Sequence, residues 1–286
     1  MSKDVEDRSI PPAIAPLAST LADRFAVLPQ TIAIVLAGSQ SNGAADAKSD
    51  YDFYVYSDRE ISVADPFGIA QEFADHAEIN NQFWEPGDEW IDRDTGFHID
   101  IMYRDPNWSE GQLERLLKEY QASVGYSTCF WWNILTSIPL YDPKGWFQQL
   151  QTKVNQPYPK ALQQAIIAKN YPILRQNQSS YLHQIELALD RQDIVSVTHR
   201  ISALLASYFD IIFAVNEVPH PGEKRLVSQV NTLCKKQPEA IALQINNITQ
   251  AMGSLPILIP LLNLLIDDLD QLLIQEGYIT ESGQLI

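Results

Sequence analysis

The spacing of hydrophobic residues changes about halfway along this chain, and that change restricts the fold more than any other feature of the sequence. In the first part, apolar side chains cluster in short segments rich in β-branched and aromatic residues, at 31–37, 51–56 and 97–103. After about residue 110 they recur at three- and four-residue spacing over longer segments. The short segments predict strands, and the longer spacing predicts helices. We therefore expect an α+β fold, with a small mixed sheet and its flanking helices first and an all-helical domain after it.

Chain length and cysteine usage limit the number of domains and the compartment. The 286 residues suffice for about two domains. Pro, Gly and Gln accumulate between 142 and 159, so we place the domains at 1–145 and 146–286. Cys129 and Cys234 form no CxxC or Cys/His pattern, which favours a reduced, cytoplasmic protein. A polar N-terminus and the lack of an apolar run of about 18 residues predict neither a secretion signal nor a membrane span.

Negative charge is concentrated in the first half of the chain. Of the net charge of −16, residues 1–150 carry −14, from 24 acidic and 10 basic side chains. An acidic surface repels phosphate backbones and attracts cations. Nucleic acid is therefore not expected as a partner, since a groove for it would need clustered Lys and Arg.

Two aspartates, Asp50 and Asp52, lie two residues apart in the second predicted strand. Because side chains alternate along a strand, both project from one face, while the aromatic and aliphatic residues between and after them face the core. Two such carboxylates repel each other unless a cation lies between them. Mg²⁺ is the natural cation, because it is usually held by one or two carboxylates together with substrate phosphates.

A third aspartate, Asp100, lies in the middle of the predicted strand 97–103, where a charge is costly to bury without a partner. If this strand lies beside the second one, Asp100 joins Asp50 and Asp52 in a cluster of three carboxylates. Such a cluster suits two-metal phosphoryl chemistry with Mg²⁺ or Mn²⁺ and supplies a candidate general base. We predict that the three side chains converge on one cleft.

Gly38 and Ser39 follow the first predicted strand, about a dozen residues before the aspartate pair. Glycine allows a backbone to approach a phosphate closely. The hydroxyl of Ser39 and the amides that follow it can donate hydrogen bonds to phosphate oxygens. This turn is therefore a candidate binding site for the triphosphate of an NTP.

The order Gly-Ser, then Asp-x-Asp, then a lone Asp on a later strand resembles the signature of the DNA polymerase β-type nucleotidyltransferase superfamily. Within it, the chain resembles the bacterial adenylyltransferases that act on aminoglycosides and lincosamides, and an uncharacterised relative of them that is DUF4037-like. That relative carries segments similar to WEPGDEW at 84–90 and PGEKRL at 221–226. The resemblance is specific over residues 31–104 and looser in the helical half.

The resemblance implies a role for each residue of the motif. Gly38 and Ser39 would contact the phosphates of ATP or another NTP. Asp50 and Asp52 would bind metal, and Asp100 would act as a metal ligand or base. The implied reaction moves a nucleoside monophosphate, AMP if the donor is ATP, to a hydroxyl of a small-molecule acceptor and releases pyrophosphate. An aminoglycoside-like antibiotic is one option for the acceptor.

Further residues extend this candidate site, each with a structural alternative. Lys224 follows a Pro-Gly turn and is a candidate ligand of the β- and γ-phosphates, or a solvated lysine. Glu89, Trp84 and Trp90 are candidate acceptor residues, because tryptophan faces and carboxylates suit an amine-bearing ligand; alternatively they belong to a packed turn. Arg104 either neutralises phosphate or pairs with an acid.

Three other interpretations of the whole chain remain open. In the first, the acceptor is a protein. In the second, the chain binds a nucleotide without catalysis and serves as an interaction protein with the same fold. In the third, the three aspartates are unrelated charges at strand ends. The acceptor and the product distinguish the first two, and the third is distinguished by whether ATP with Mg²⁺ stabilises the chain.

Overall fold

The computed structural model describes residues 10, 12–41, 49–83, 85–252 and 255–286. The chain forms two compact units. The first combines the described residues of Met1–Glu114 with Phe130–Pro157, and the second combines Arg115–Cys129 with the described residues of Tyr158–Ile286. A mixed sheet and a helical C-terminal part are both present, so the predicted α+β class is confirmed. The predicted domain boundary at residue 145 stays a prediction.

One six-stranded sheet forms the centre of the first unit, with the strand order β3-β4-β5-β2-β1-β6. Strands β2 and β5 are parallel to each other, and every other neighbouring pair is antiparallel. The strands are β1 (Thr31–Leu36), β2 (Tyr51–Ser57), β3 (Ala77–Asn81), β4 (Gly87–Ile91), β5 (His98–Arg104) and β6 (Ile138–Tyr141).

Helices make up most of the remaining structure. They are α1 (Ala15–Ala26), α2 (Gly38–Ser41), α3 (Ala64–Phe73), α4 (Pro106–Leu117), α5 (Cys129–Thr136), α6 (Trp146–Val154), α7 (Lys160–Asn170), α8 (Pro172–Arg175), α9 (Tyr181–Asp190), α10 (Ile194–Val215), α11 (Leu226–Leu233), α12 (Ile241–Ala251) and α13 (Leu255–Gln275). Within the described residues, none of these helices combines the length and the apolar character that a membrane span needs.

The predicted order of strands before helices is confirmed. Past residue 145, the only strand-like pairing among the described residues is an isolated bridge between Ile279 and Leu285. The strands β1, β2 and β5 are the three that the sequence predicts, whereas β3, β4 and β6 were not predicted. Helix α5 begins only at Cys129, because Gly125 and Tyr126 just before it have positive φ angles of 72° and 55°, which a helix does not allow.

The core of the first unit lies on one face of the sheet, under α1 and α3. The ring of Phe25 in α1 lies 6.2 Å from that of Tyr103 in β5, and Phe73 in α3 stacks on Trp90 in β4 at 6.4 Å. Alternate residues of β2, β4 and β5 fill this core. The residues between them must therefore project from the opposite face.

The opposite face is covered by α5 and α6 near the carboxyl ends of β2 and β5. The ring of Tyr56 lies 5.0 Å from that of Trp146 and 5.4 Å from that of Phe147. Asn133 in α5 donates a hydrogen bond of 3.1 Å to the hydroxyl of Tyr54. Nearer the start of β2, Asp52 is only partly buried, so this end of the face remains accessible to solvent.

Candidate active site

Four carboxylates form a row across four neighbouring strands, which we call the acidic row. Asp52 of β2 is in register with Asp100 of β5. On the other side of β5, Asp100 is in register with Glu89 of β4, which in turn is in register with Glu78 of β3. Residues paired in register project from the same face of a sheet. The structure therefore brings Asp52 and Asp100 together, as the sequence predicts, and adds two glutamates beside them.

Asp50 lies one residue before β2, at the edge of this face, and its side chain is exposed. It lines a groove of about 780 Å³ whose walls also include Glu78, Glu89 and Asp100 of the acidic row, but not Asp52. The charged residues on the walls of this groove are mostly acidic; they include Asp50, Glu78, Glu89, Asp92, Arg93 and Asp100. A groove of this composition favours cationic groups over anions, unless a metal ion compensates its charge.

Burial and the surrounding negative charge raise the pKa of Asp100 to about 7. Burial is the largest cause, followed by the charges of Asp52, Glu89, Asp50 and Glu85. A carboxylate whose pKa lies near neutrality can take a proton from a hydroxyl and release it again in the next step. The position of Asp100 between two other carboxylates is therefore suited to general-base chemistry.

The residues that the structure describes contain no group of three or more His, Cys, Asp or Glu side chains arranged to hold a metal ion. A preformed cage of Asp50, Asp52 and Asp100 is thus absent from them. Asp52 and Asp100 nevertheless fit Mg²⁺ as a pair, because that ion commonly takes one or two carboxylates and fills its other positions with substrate phosphates and water.

Gly38 packs directly against the carboxylate of Asp52. A Cβ at Gly38 would lie 1.7 Å from Oδ2 of Asp52, and φ of this glycine is 64°. The N–H of Ala37 donates to the carbonyl of Asp52 at 2.8 Å, which ties the end of β1 to β2. The close approach that requires glycine here is thus to Asp52. Ser39 follows in the short helix α2 and is partly buried.

Arg104 forms an ion pair with Glu85. Its Nε and Nη2 each donate to one oxygen of that carboxylate at 2.9 Å, and its guanidinium lies 3.7 Å from the ring centre of Tyr54. Only 8% of Arg104 is exposed. Of the two roles that the sequence suggests for Arg104, the structure shows the pairing with an acid.

The three predicted acceptor residues differ in their positions. Glu89 is exposed on the acidic row, where it accepts a hydrogen bond of 3.1 Å from Nδ2 of Asn81. Trp90 is the next residue of β4, so it points to the core face, where it is 5% exposed and stacks on Phe73. Trp84 lies outside the described residues. Among those that are described, Glu89 is therefore the one that lies beside Asp100.

Lys224 belongs to the second unit, where its exposed side chain lies in the turn before α11. His220 fixes the start of this turn within the same unit. Its N–H donates to Oγ1 of Thr128 at 2.7 Å, and its Nδ1 accepts from the N–H of Gly222 at 3.1 Å. The role of Lys224 toward phosphate stays a prediction.

Sequence reasoning did not identify Glu78 or Asn81 as residues of the site. Both lie in β3 of the β3–β4 hairpin, which the sequence does not predict because Glu and Asn are depleted in strands. Once the hairpin is known, the alternation of Asp88, Glu89 and Trp90 would have shown that only Glu89 faces the aspartates.

Comparison with known proteins gives one family match and distant likenesses to solved structures. Residues 136–226 match the model of a domain of unknown function, DUF4037. This match spans less than half of the chain; it includes the PGEKRL segment at 221–226 and none of the four carboxylates of the acidic row. No curated protein matches the chain.

Two solved structures illustrate the structural likeness. One is a nucleotidyltransferase-like protein from Exiguobacterium sibiricum 255-15, which is 8% identical, with a TM-score of 0.40 over 93% of this chain and 77% of that one. The other is the CCA-adding enzyme of Thermotoga maritima complexed with tRNA, which is 11% identical, with a TM-score of 0.34 over 86% of this chain and 59% of that one.

Proposed function

We propose that the chain is a metal-dependent nucleotidyltransferase that moves AMP from ATP to a hydroxyl of a small-molecule acceptor and releases pyrophosphate. The observation that carries the proposal is the register of Asp52 with Asp100 on a solvent-accessible acidic face, with Gly38 packed against Asp52. Carboxylates this close repel one another. A divalent cation brought in with a triphosphate would relieve that repulsion.

The proposed reaction is an in-line displacement at the α-phosphorus of ATP. The acceptor oxygen forms a bond to that phosphorus, while the bond to the oxygen that bridges the α- and β-phosphorus breaks. Pyrophosphate leaves with the bonding electron pair. The proton of the acceptor hydroxyl passes to Asp100, whose pKa of about 7 suits a base that works near neutral pH.

The other residues of the motif would hold the substrate. Asp50 and Asp52 would bind Mg²⁺ or Mn²⁺, and Asp100 would either share that ion or remain free as the base. The bound ion would supply positive charge to the triphosphate and to the leaving pyrophosphate. Ser39 and the backbone amides of the turn at Gly38 would donate hydrogen bonds to phosphate oxygens. Lys224 is the phosphate ligand that we propose from the second unit.

The test is incubation of the full chain with each α-labelled NTP, with Mg²⁺ or Mn²⁺ and a panel of acceptors, followed by mass spectrometry. The panel contains an aminoglycoside, a lincosamide, the chain itself and water. A gain of one nucleoside monophosphate on a small molecule is the expected result. Asp52→Asn is the matched control, because it keeps the shape of the side chain and removes the charge. Equal product from wild type and this variant would overturn the proposal.

Two other outcomes would replace it with a different function. Labelling of the chain itself, in place of the small molecules, would favour a protein acceptor. A rise in melting temperature with Mg²⁺ and ATP, but no product with any acceptor, would favour a non-catalytic nucleotide-binding protein.

A further inference from the structure

The edge strand β3 contains one extra residue opposite β4. Glu78 is in register with Glu89, and Asn81 with Gly87, so three steps along β3 correspond to two steps along β4. An extra residue of this kind is a β-bulge, and it reverses the side-chain alternation beyond it. Asn81 therefore projects from the same face as Glu78, although regular alternation would turn it toward the core.

Asn80 occupies the bulge in a left-handed conformation with φ of 58°. Asparagine adopts this conformation more readily than most residues with a side chain. Its N–H donates to Oδ1 of Asp88 at 2.7 Å, and its own Oδ1 accepts from Nε2 of Gln82 at 2.8 Å. Asp88 thus holds the backbone of the bulge, and Gln82 holds the side chain of Asn80.

Asp88 holds the bulge from the core side of the sheet. The residue is 0% exposed, and its second oxygen accepts a hydrogen bond from the hydroxyl of Tyr103 in β5. A buried carboxylate is tolerated only when donors of this kind compensate the loss of water. The N–H of Asn80 is one of these two donors, so the bulge and the buried carboxylate depend on each other.

The consequence of the bulge is a hydrogen bond on the acidic row. Asn81 donates from Nδ2 to Oε1 of Glu89 at 3.1 Å, and Glu89 lies in register with Asp100. Gly87, the register partner of Asn81, has no side chain on this face. Asn81 thereby limits the orientations of a carboxylate that would otherwise move freely on the exposed surface.

We infer that Asn81 is a positioning residue that fixes Glu89 beside Asp100. In this position Glu89 accepts a hydrogen bond from a second O–H or N–H group of the acceptor. The inference rests on the proposed function. The acceptor would bind through two donors: the attacking hydroxyl, whose proton passes to Asp100, and a neighbouring hydroxyl or amine that donates to Glu89. Polyols and amino alcohols have this arrangement, and water has it through its two hydrogens.

The test uses α-labelled ATP, Mg²⁺ and water as the acceptor, with AMP and pyrophosphate as the measured products. Asn81→Ala, Glu89→Gln and the double variant are compared with wild type, and Asn107→Ala on the exposed start of α4 is the control. We expect each single variant to lower kcat by about tenfold, because a hydrogen bond to a charged group is lost. The double variant should be no slower than Glu89→Gln alone, since Asn81 acts through Glu89.

A second variant and a binding measurement separate this role from a loss of structure. Asn81→Asp keeps the size of the side chain and places a negative charge against Glu89, so it should lower kcat more than Asn81→Ala. The rise in melting temperature with Mg²⁺ and ATP should remain close to that of wild type in all Asn81 variants, because they leave the nucleotide site intact.

Three outcomes would contradict the inference. If the fold-decrease in kcat of the double variant equals the product of the two single decreases, Asn81 does not act through Glu89. Wild-type turnover by Asn81→Ala would show that the hydrogen bond does not matter for the reaction, while the proposed function would stand. A wild-type chain that neither forms AMP with water nor attaches AMP to any other acceptor would overturn the proposed function and this role together.

Discussion

The backbone of Gly38 lies against the carboxylate of Asp52, so closely that a Cβ on this glycine would be 1.7 Å from Oδ2. These two residues come from different strand ends and are 14 positions apart in the sequence. The contact places the turn that follows β1 directly beside the carboxylate that we propose as a metal ligand.

Gly38→Ala should displace Asp52 and abolish metal-dependent product formation. The new methyl group clashes with the carboxylate, and φ of 64° strains any residue other than glycine. We expect a loss of about 1–3 kcal/mol in the free energy of unfolding. Gly277→Ala is the control, because Gly277 has φ of 76° and no heavy atom within 4 Å of its would-be Cβ. Similar losses in both variants, with activity retained, would contradict the role of the contact.

Asp52→Asn should abolish nucleotide transfer and leave the fold intact. Asparagine keeps the shape of the side chain but lacks the charge that Mg²⁺ requires, and its introduction relieves repulsion from Asp100. The melting temperature without metal should therefore hold or rise slightly. The rise caused by Mg²⁺ and ATP should shrink, because a ligand stabilises only in proportion to its binding. An unchanged ligand-induced rise would show that Asp52 is not a metal ligand.

Gly87→Ala should destabilise the β4–β5 pairing. A Cβ at this position would lie 2.5 Å from the carbonyl oxygen of Ile101, and a backbone atom within a sheet cannot move aside easily. We expect the free energy of unfolding to fall by about 1–3 kcal/mol, measured by urea denaturation. Gly68→Ala is a control for which we expect the opposite effect. Gly68 lies in α3, and no heavy atom lies within 4 Å of its would-be Cβ. Alanine there should raise the free energy of unfolding by about 0.5–1 kcal/mol.

Stability should decrease between pH 5 and pH 8 because of Asp210 in α10. This carboxylate is 1% exposed, and burial raises its pKa to about 7, although Ser127 and Asn170 donate hydrogen bonds to it. The unfolded pKa is about 3.9. The folded state therefore holds the proton more tightly, so the stabilisation is complete below the unfolded pKa and is lost as pH rises through the folded one.

Asp210→Asn isolates this contribution, because asparagine does not titrate. The midpoint of urea denaturation, compared at pH 5 and pH 8, should fall more in wild type than in the variant. We expect the difference between them to be on the order of 2 kcal/mol. Equal decreases in the two proteins would mean that other groups, such as Asp100, cause the whole pH dependence.

The parts of the site that sequence analysis predicts are those that depend on local periodicity. Alternation within β2 and β5 puts Asp52 and Asp100 opposite the apolar residues of their own strands, and this follows from sequence alone. The positions of Glu78 and Asn81 do not follow in this way. The position of Glu78 depends on the pairing of β3 with β4. That of Asn81 depends on a bulge that is stabilised by Asp88, and Asp88 is held by Tyr103, a contact between different strands. The sequence likewise does not show which residue pairs with Arg104, because several acidic residues precede it. Only the fold places Glu85 beside it.

The parallel pairing of β2 with β5 affects how the acidic row forms during folding. Parallel neighbours cannot be joined by a tight turn, and here the connection between them contains α3 and the whole β3–β4 hairpin. Asp52 is therefore synthesised well before the residue that it faces. Pairing over such a distance along the chain is slow, because the entropy of closing the loop is lost before the contacts form. The combined negative charge arises only when β5 joins the sheet, so the capacity of the acidic row to attract a cation cannot precede this long-range pairing.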